Sequence, residues 1–147
     1  MLTLPQTAEY ALRAIYFIAE APGGDPVRVG DIAAALKVPR NYLSKTLFQL
    51  ARAGVLRSTR GPRGGFQLAK PPARLTLAEI VAPFLPAGKR ACVLGRPTCS
   101  DAAPCPAHGS WKQIADRMRA FFGATTVADL LAAPQRRQSI SGRQRGA

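Results

Sequence analysis

Three cysteines and the only histidine of a 147-residue chain fall within "CVLGRPTCSDAAPCPAH", residues 92–108. Six residues separate Cys92 from Cys99, five separate Cys99 from Cys105, and His108 follows Cys105 by three positions. Loops of that length let three thiolates converge, whereas the close CxxC pairs typical of zinc ribbons and fingers do not occur. Three sulfurs and one nitrogen would complete the four protein ligands of a 2Fe-2S cluster. They would equally complete a Cys3His zinc site, so the donor count leaves both open. An odd number of thiols without a basic leader and cleavable apolar segment favours metal or reactive chemistry over a disulfide framework, and the expected address is the cytoplasm. A cysteine nucleophile with His108 as base finds no orienting third group in the sequence, so no enzyme is expected.

These residues need elements to hold them. Thr7 is expected to cap a first helix running to about Ala21, whose "YALRAIYFIA" is apolar on nearly every side and therefore buried. "APGGDP" ends it, and a short second helix, "GDIAAALK", leads to a third that opens with Pro39 at its first position and ends at Gly54 as the C′ residue. In that third helix Leu43, Leu47 and Leu50 share an inward face, and Asn41, Lys45 and Arg52 point outward with Arg40 and Ser44 on the flanks. "VLRSTRGPRGGFQLAK" reads as two short strands joined by a turn, and Phe48, which falls on the outward face, is expected to pack under this hairpin. The predicted fold is mainly α with a small β-hairpin wing, a winged helix-turn-helix followed by a long dimerisation helix.

"TLAE", Thr76 to Glu79, is a capping-box pattern for a fourth helix that Pro83 should end early. A fifth helix, roughly Pro106 to Phe122 and closed by Gly123, carries an apolar seam of Ala107, Trp111, Ile114, Ala115, Met118, Phe121 and Phe122. Within it Trp111, Ile114, Met118, Phe121 and Phe122 are the expected dimer contacts, because a helix-turn-helix reader works as a two-fold dimer on a palindrome. "TTVADLLAA" forms a short last helix. The divisions are 1–74, the DNA-binding domain; 75–133, linker helix, cysteine loop and dimerisation helix; and 134–147, a disordered basic tail.

The net charge is +13, and residues 28–74 alone hold ten basic side chains against Asp31, a net of +9. A field of that sign on a helix-turn-helix points to double-stranded DNA. Arg40, Asn41, Ser44 and Lys45 are expected to reach base edges, with Arg60 and Arg63 on the wing at the minor groove or phosphates. An RNA-binding module fits less well, since the aromatics sit at seam positions and offer no stacking platform. No window approaches the roughly 18–20 uncharged apolar residues of a membrane span.

"EYALRAIYFIA", "VPRNYLSKTLFQLARAGVL", "RGPRGGFQLAKP", the three-cysteine segment and "TTVADLL", taken in order from about residue 2 to 132, resemble the IscR/NsrR/RirA family of bacterial winged-helix transcription regulators. The resemblance implies a homodimer on a palindromic promoter element, with repression as the expected sign, and an iron-sulfur cluster, 2Fe-2S favoured and 4Fe-4S possible, that senses nitric oxide, redox state or iron. It also offers a second fourth ligand: in the nitric-oxide branch an acidic residue directly before the Tyr of the first helix, here Glu9, reaches the cluster of the other subunit. This sequence departs by one residue from the common five-and-five cysteine spacing, which leaves cluster type open. The alternative is a zinc-stabilised or thiol-switched winged-helix regulator with no cluster.

Overall fold

The computed structural model describes residues 4–86 and 91–134, so the expected tail lies outside the described residues beyond Pro134. Among the described residues six α-helices, α1 (Gln6–Ala19), α2 (Val29–Leu36), α3 (Arg40–Arg52), α4 (Leu77–Val81), α5 (His108–Ala124) and α6 (Val127–Ala132), accompany strands β1 (Leu56–Thr59) and β2 (Gly65–Leu68). The fold is mainly helical with a two-stranded wing, as the sequence predicts.

Thr7 does not cap α1. The helix begins one residue before it, with Pro5 at the cap position (φ −52°, ψ 143°) and no side-chain cap, because the fixed proline φ sets the entry of the chain and its missing N–H costs nothing there. α1 ends at Ala19 rather than Ala21, and turns at Pro22–Gly24. Ala8, Ala11, Ala14, Ile15 and Ile18 are its buried face. Pro39 likewise sits at the cap of α3, one position before the expected one. At the other end Gly54 takes φ 76°, its N–H bonds Ala51 O at 3.1 Å and Val55 N–H bonds Leu50 O at 3.0 Å, closing the left-handed C-terminal motif. Leu43, Leu47 and Leu50 are wholly buried, each stabilising the fold by about 1.5–3 kcal/mol relative to exposure.

β1 and β2 pair antiparallel from Leu56↔Leu68 to Thr59↔Gly65. The wing is pinned to the body by Val27, which exchanges two 2.8 Å backbone hydrogen bonds with Phe66. Phe48 meets the Phe66 ring edge-on at 5.5 Å but stays 56% exposed, so it flanks the hairpin rather than packing under it as expected.

One hydrophobic cluster takes residues from both sides of residue 74: Leu75, Leu77, Ile80 and Val127 join Ile15, Ile32 and Leu47. The expected capping box of α4 is present in both directions between Thr76 and Glu79, and Pro83 falls in the short 3-10 turn that ends the helix. A second box, Thr126 with Asp129, starts α6; its "TVAD" was legible in the sequence but carries Asp where the usual pattern has Glu or Gln. Leu77 N–H donates to Thr125 O and Val127 N–H to Leu75 O, tying α6 to the start of α4. Gly123 does not close α5, which continues to Ala124. Thr125 N–H still bonds Phe121 O, and it is the capped start of α6 that turns the chain. α5 also begins later than expected, at His108, with Ala107 outside it.

Candidate functional site

Two regions carry chemistry: a basic face on α3 and the wing, and the cysteine loop that enters α5. On the first, Arg40, Asn41 and Lys45 are exposed on one side of α3, while the leucines opposite fill the core. Ser44 is half-buried and its hydroxyl donates to Arg40 O at 2.9 Å, which leaves the oxygen lone pairs able to accept. Arg60 and Arg63 are exposed in the turn between β1 and β2. Arg28, counted in the sequence only as charge, donates from Nη2 to Pro62 O and braces that turn. An open cleft of about 580 Å³, lined by Arg28, Arg40, Pro62 and Phe66 among others, separates the wing turn from the start of α3. No sequence signal marks Arg28, because its partner lies 34 positions away.

In the loop the four donors form two pairs. Cys92 Sγ stands 3.8 Å from Cys105 Sγ, both residues buried. Cys99 Sγ stands 3.5 Å from Nδ1 of His108, which is also buried. Among the described residues no group of three or more His, Cys, Asp or Glu side chains is gathered closely enough to hold one metal ion.

Cys92 opens a tight turn in which Gly95 adopts φ 72°, and its N–H bonds Cys92 O at 3.0 Å. That turn aims backbone N–H groups at the sulfur. The amides of Arg96 and Leu94 hold the Cys92 thiol below its ordinary pKa, with the neighbouring Cys105 and the Arg96 charge acting in the same direction. Amides pointing at a sulfur favour its thiolate, the form that binds metals, and Gly three residues after Cys was the sequence sign of the turn.

His108 is fixed from within the loop, by Asp101. Its Nε2 lies 2.7 Å from Asp101 Oδ1, and Lys112, one turn further along α5, donates to the same carboxylate at 2.8 and 3.0 Å. Lys112 first and His108 second draw the Asp101 pKa down to about 2. Asp101 thus supplies the orienting third group that the sequence did not reveal. Glu9, the rival ligand, is exposed in the first turn of α1.

The two-pair arrangement can be tested against an iron-sulfur group by distance. Two ligands on one tetrahedral metal with bonds of about 2.3 Å to sulfur and 2.0–2.1 Å to nitrogen stand roughly 3.8 Å (S, S) or 3.5 Å (S, N) apart. Both observed pairs stand at that spacing, so each pair fits two ligands of one tetrahedral metal.

α5 leads away from the loop with its apolar seam divided. Trp111 donates from Nε1 to Ala91 O at 2.7 Å, and Phe122 packs on the core. Met118 is half-buried, whereas Ile114 and Phe121 remain 45% and 55% exposed.

A wing beside a basic recognition helix, carried on a helical core with a cysteine loop appended, defines a winged-helix DNA-binding regulator. The model of the Rrf2 family, iron-dependent transcriptional regulators, matches residues 4–133. An Aquifex aeolicus protein assigned to the HTH-type transcriptional regulators is 38% identical over 128 residues, covering 85% of this chain and 88% of the relative. The HTH-type transcriptional regulator IscR of Escherichia coli is 26% identical over 143 residues, covering 97% and 88%. Among solved structures, CymR, the global cysteine regulator of B. subtilis, superposes with a TM-score of 0.77 at 24% identity over 92% of this chain and 100% of its own, a likeness of fold. This chain belongs to the Rrf2 family: it is a transcriptional regulator and not an enzyme. Among the described residues no helix is long and apolar enough to cross a membrane.

Proposed function

We propose that this regulator is a cytoplasmic homodimeric repressor that binds a palindromic operator, with an affinity set by a 2Fe-2S cluster held by Cys92, Cys99, Cys105 and His108. The observation that carries the proposal is the separation of four donors into two pairs at tetrahedral-edge spacing. Zinc needs its four donors around one point, and a 4Fe-4S cluster takes one thiolate per iron, which a sulfur pair at 3.8 Å does not suit. His108 is the preferred fourth ligand over Glu9 of the partner subunit because it is buried against Cys99 in the same chain. When bound, the cluster supplies a redox-active iron centre sensitive to oxidation, to nitric oxide and to iron supply.

The chain does the rest. Arg40, Asn41, Ser44 and Lys45 read base edges, and Arg60 and Arg63 hold phosphates or the minor groove. Of the expected seam of Trp111, Ile114, Met118, Phe121 and Phe122, the exposed Ile114 and Phe121 carry the dimer contact with Met118 beside them, while Trp111 and Phe122 are engaged within the chain. Because His108 is the first residue of α5, the ligand set of the loop bears directly on the helix that spaces the two recognition helices. Any signal acts through its different affinity for the two spacings.

A second reading, a thiol switch without iron, is favoured by the buried Cys92–Cys105 contact, which an oxidant such as a peroxide could close to a disulfide. Anaerobic purification followed by visible absorbance, iron, sulfide and zinc analysis, and operator titration with and without a nitric oxide donor, separates the readings. Brown protein with iron and sulfide, bleached by the donor with a change in affinity, is expected. Colourless protein whose DNA affinity follows thiol oxidation would replace the cluster by the switch, and one zinc per chain would sink both.

A further inference from the structure

We infer that Asp101 is a positioning residue that fixes the His108 ring with a bare Nδ1 turned to Cys99, the nitrogen through which His108 ligates iron. The inference rests on the reading of His108 as a cluster ligand and deepens it. A carboxylate can only accept, so the 2.7 Å contact between Asp101 Oδ1 and His108 Nε2 requires the proton on Nε2. In a neutral imidazole the other nitrogen is then a lone pair, and it is this atom that stands 3.5 Å from Cys99 Sγ. Carboxylate, imidazole and metal in line is the general arrangement by which proteins fix the tautomer and ring orientation of a ligating histidine.

The geometry has a built support. Lys112 follows His108 by four positions, so the two project from one face of α5 and approach Asp101 from adjacent sides. Lys112 engages both carboxylate oxygens, at 2.8 Å to Oδ1 and 3.0 Å to Oδ2. The carboxylate itself is 68% exposed, while the His108 side chain is 9% exposed. The burial therefore belongs to the ligand, and the orienting group reaches it from the solvent side. Among the described residues Asp101 is the hydrogen-bond partner of Nε2, so the choice of tautomer falls to one residue that can be changed without opening the core.

His108 is the only histidine of the chain, which makes its ring directly observable in the full-length protein. In metal-free protein labelled with 15N-histidine, at a pH where imidazole is neutral, NMR is expected to find the Nε2–H tautomer. Asp101→Ala should convert it to a mixture or to Nδ1–H, and Asp101→Asn, which keeps an acceptor oxygen, should restore it. In the iron-loaded protein, pulsed EPR of the reduced cluster should show coupling to a single histidine nitrogen. Asp101→Ala should shift that coupling and hasten iron loss to a chelator by roughly 10-fold or more. An Nδ1–H tautomer in the unaltered protein, or an Asp101→Ala variant with unchanged tautomer and iron retention, overturns the role of Asp101. Absence of any histidine coupling in the iron-loaded unaltered protein overturns instead the assignment of His108 as ligand, and the positioning role toward iron falls with it.

Discussion

Replacing Gly65 with Ala tests how the wing is held. A Cβ at this position would stand 2.4 Å from Val27 O and 2.6 Å from Val27 C, and both are backbone atoms that no rotamer change can move. The same backbone segment exchanges the two 2.8 Å hydrogen bonds between Val27 and Phe66 that join the wing to the body. To admit the methyl group the two segments must part, with loss of both bonds at about 1 kcal/mol each. Phe66, only 6% exposed, would also surrender part of its packing against Phe48 and the core, roughly a further 1–2 kcal/mol. A destabilisation of about 3–4 kcal/mol is expected, read from urea unfolding midpoints at unchanged m-value. In operator titrations on the folded variant, displacement of Arg60 and Arg63 should flatten the slope of log K against log salt by up to about 1.8 per subunit, near 0.9 for each phosphate that the wing no longer neutralises. Unfolding within about 0.5 kcal/mol of the parent, the range of an ordinary surface change, would refute the argument that Val27 and Gly65 must touch.

The remaining expectations concern other parts of the molecule. Lys37 holds φ 54° in the turn between α2 and α3, so Lys37→Gly should relieve about 1–2 kcal/mol of left-handed strain, offset by roughly 0.5–1 kcal/mol of added unfolded-state freedom, for a small net gain in urea midpoint; a loss of stability would show the lysine to be held by something else. Asn41→Ala should cost about 1–3 kcal/mol of operator affinity and relax preference at one base position with little change in salt slope, whereas Arg63→Ala should weaken all sequences alike and flatten the slope; the reverse pattern would exchange their roles. Phe121→Asp, at a residue 55% exposed, should leave the fold intact by circular dichroism yet yield monomer in sedimentation and abolish tight operator binding; a stable dimer would move the interface away from α5.

Local rules made much of this protein legible before any coordinates. The leucine spacing in α3, Gly54 after it, the "TLAE" box and the turn-rich hairpin each depend on neighbours within about four residues, and each is found as the sequence predicts. Boundaries were less faithful where two local signals competed. Thr7 and Gly123 are plausible cap and stop by residue type, but Pro5 entered the helix first at one end and the Thr126 cap set the turn at the other. The clustering of Cys92, Cys99, Cys105 and His108 was likewise plain in the sequence, as was the chemistry it invites.

Their pairing was not. Which sulfur stands beside which donor depends on how residues 91–107 fold back on one another ahead of α5, and the contacts involved span 9 and 13 positions. Arg28 on the wing and Asp101 on His108 belong to the same class, single polar contacts across 34 and 7 positions that leave no periodic trace. The sequence alone determined the class of protein, because a winged helix is written in apolar spacing, caps and turns that repeat at short range. Only the tertiary structure decided the working geometry of the cysteine loop, because there position is set by which distant groups meet, and residue type says only that they could.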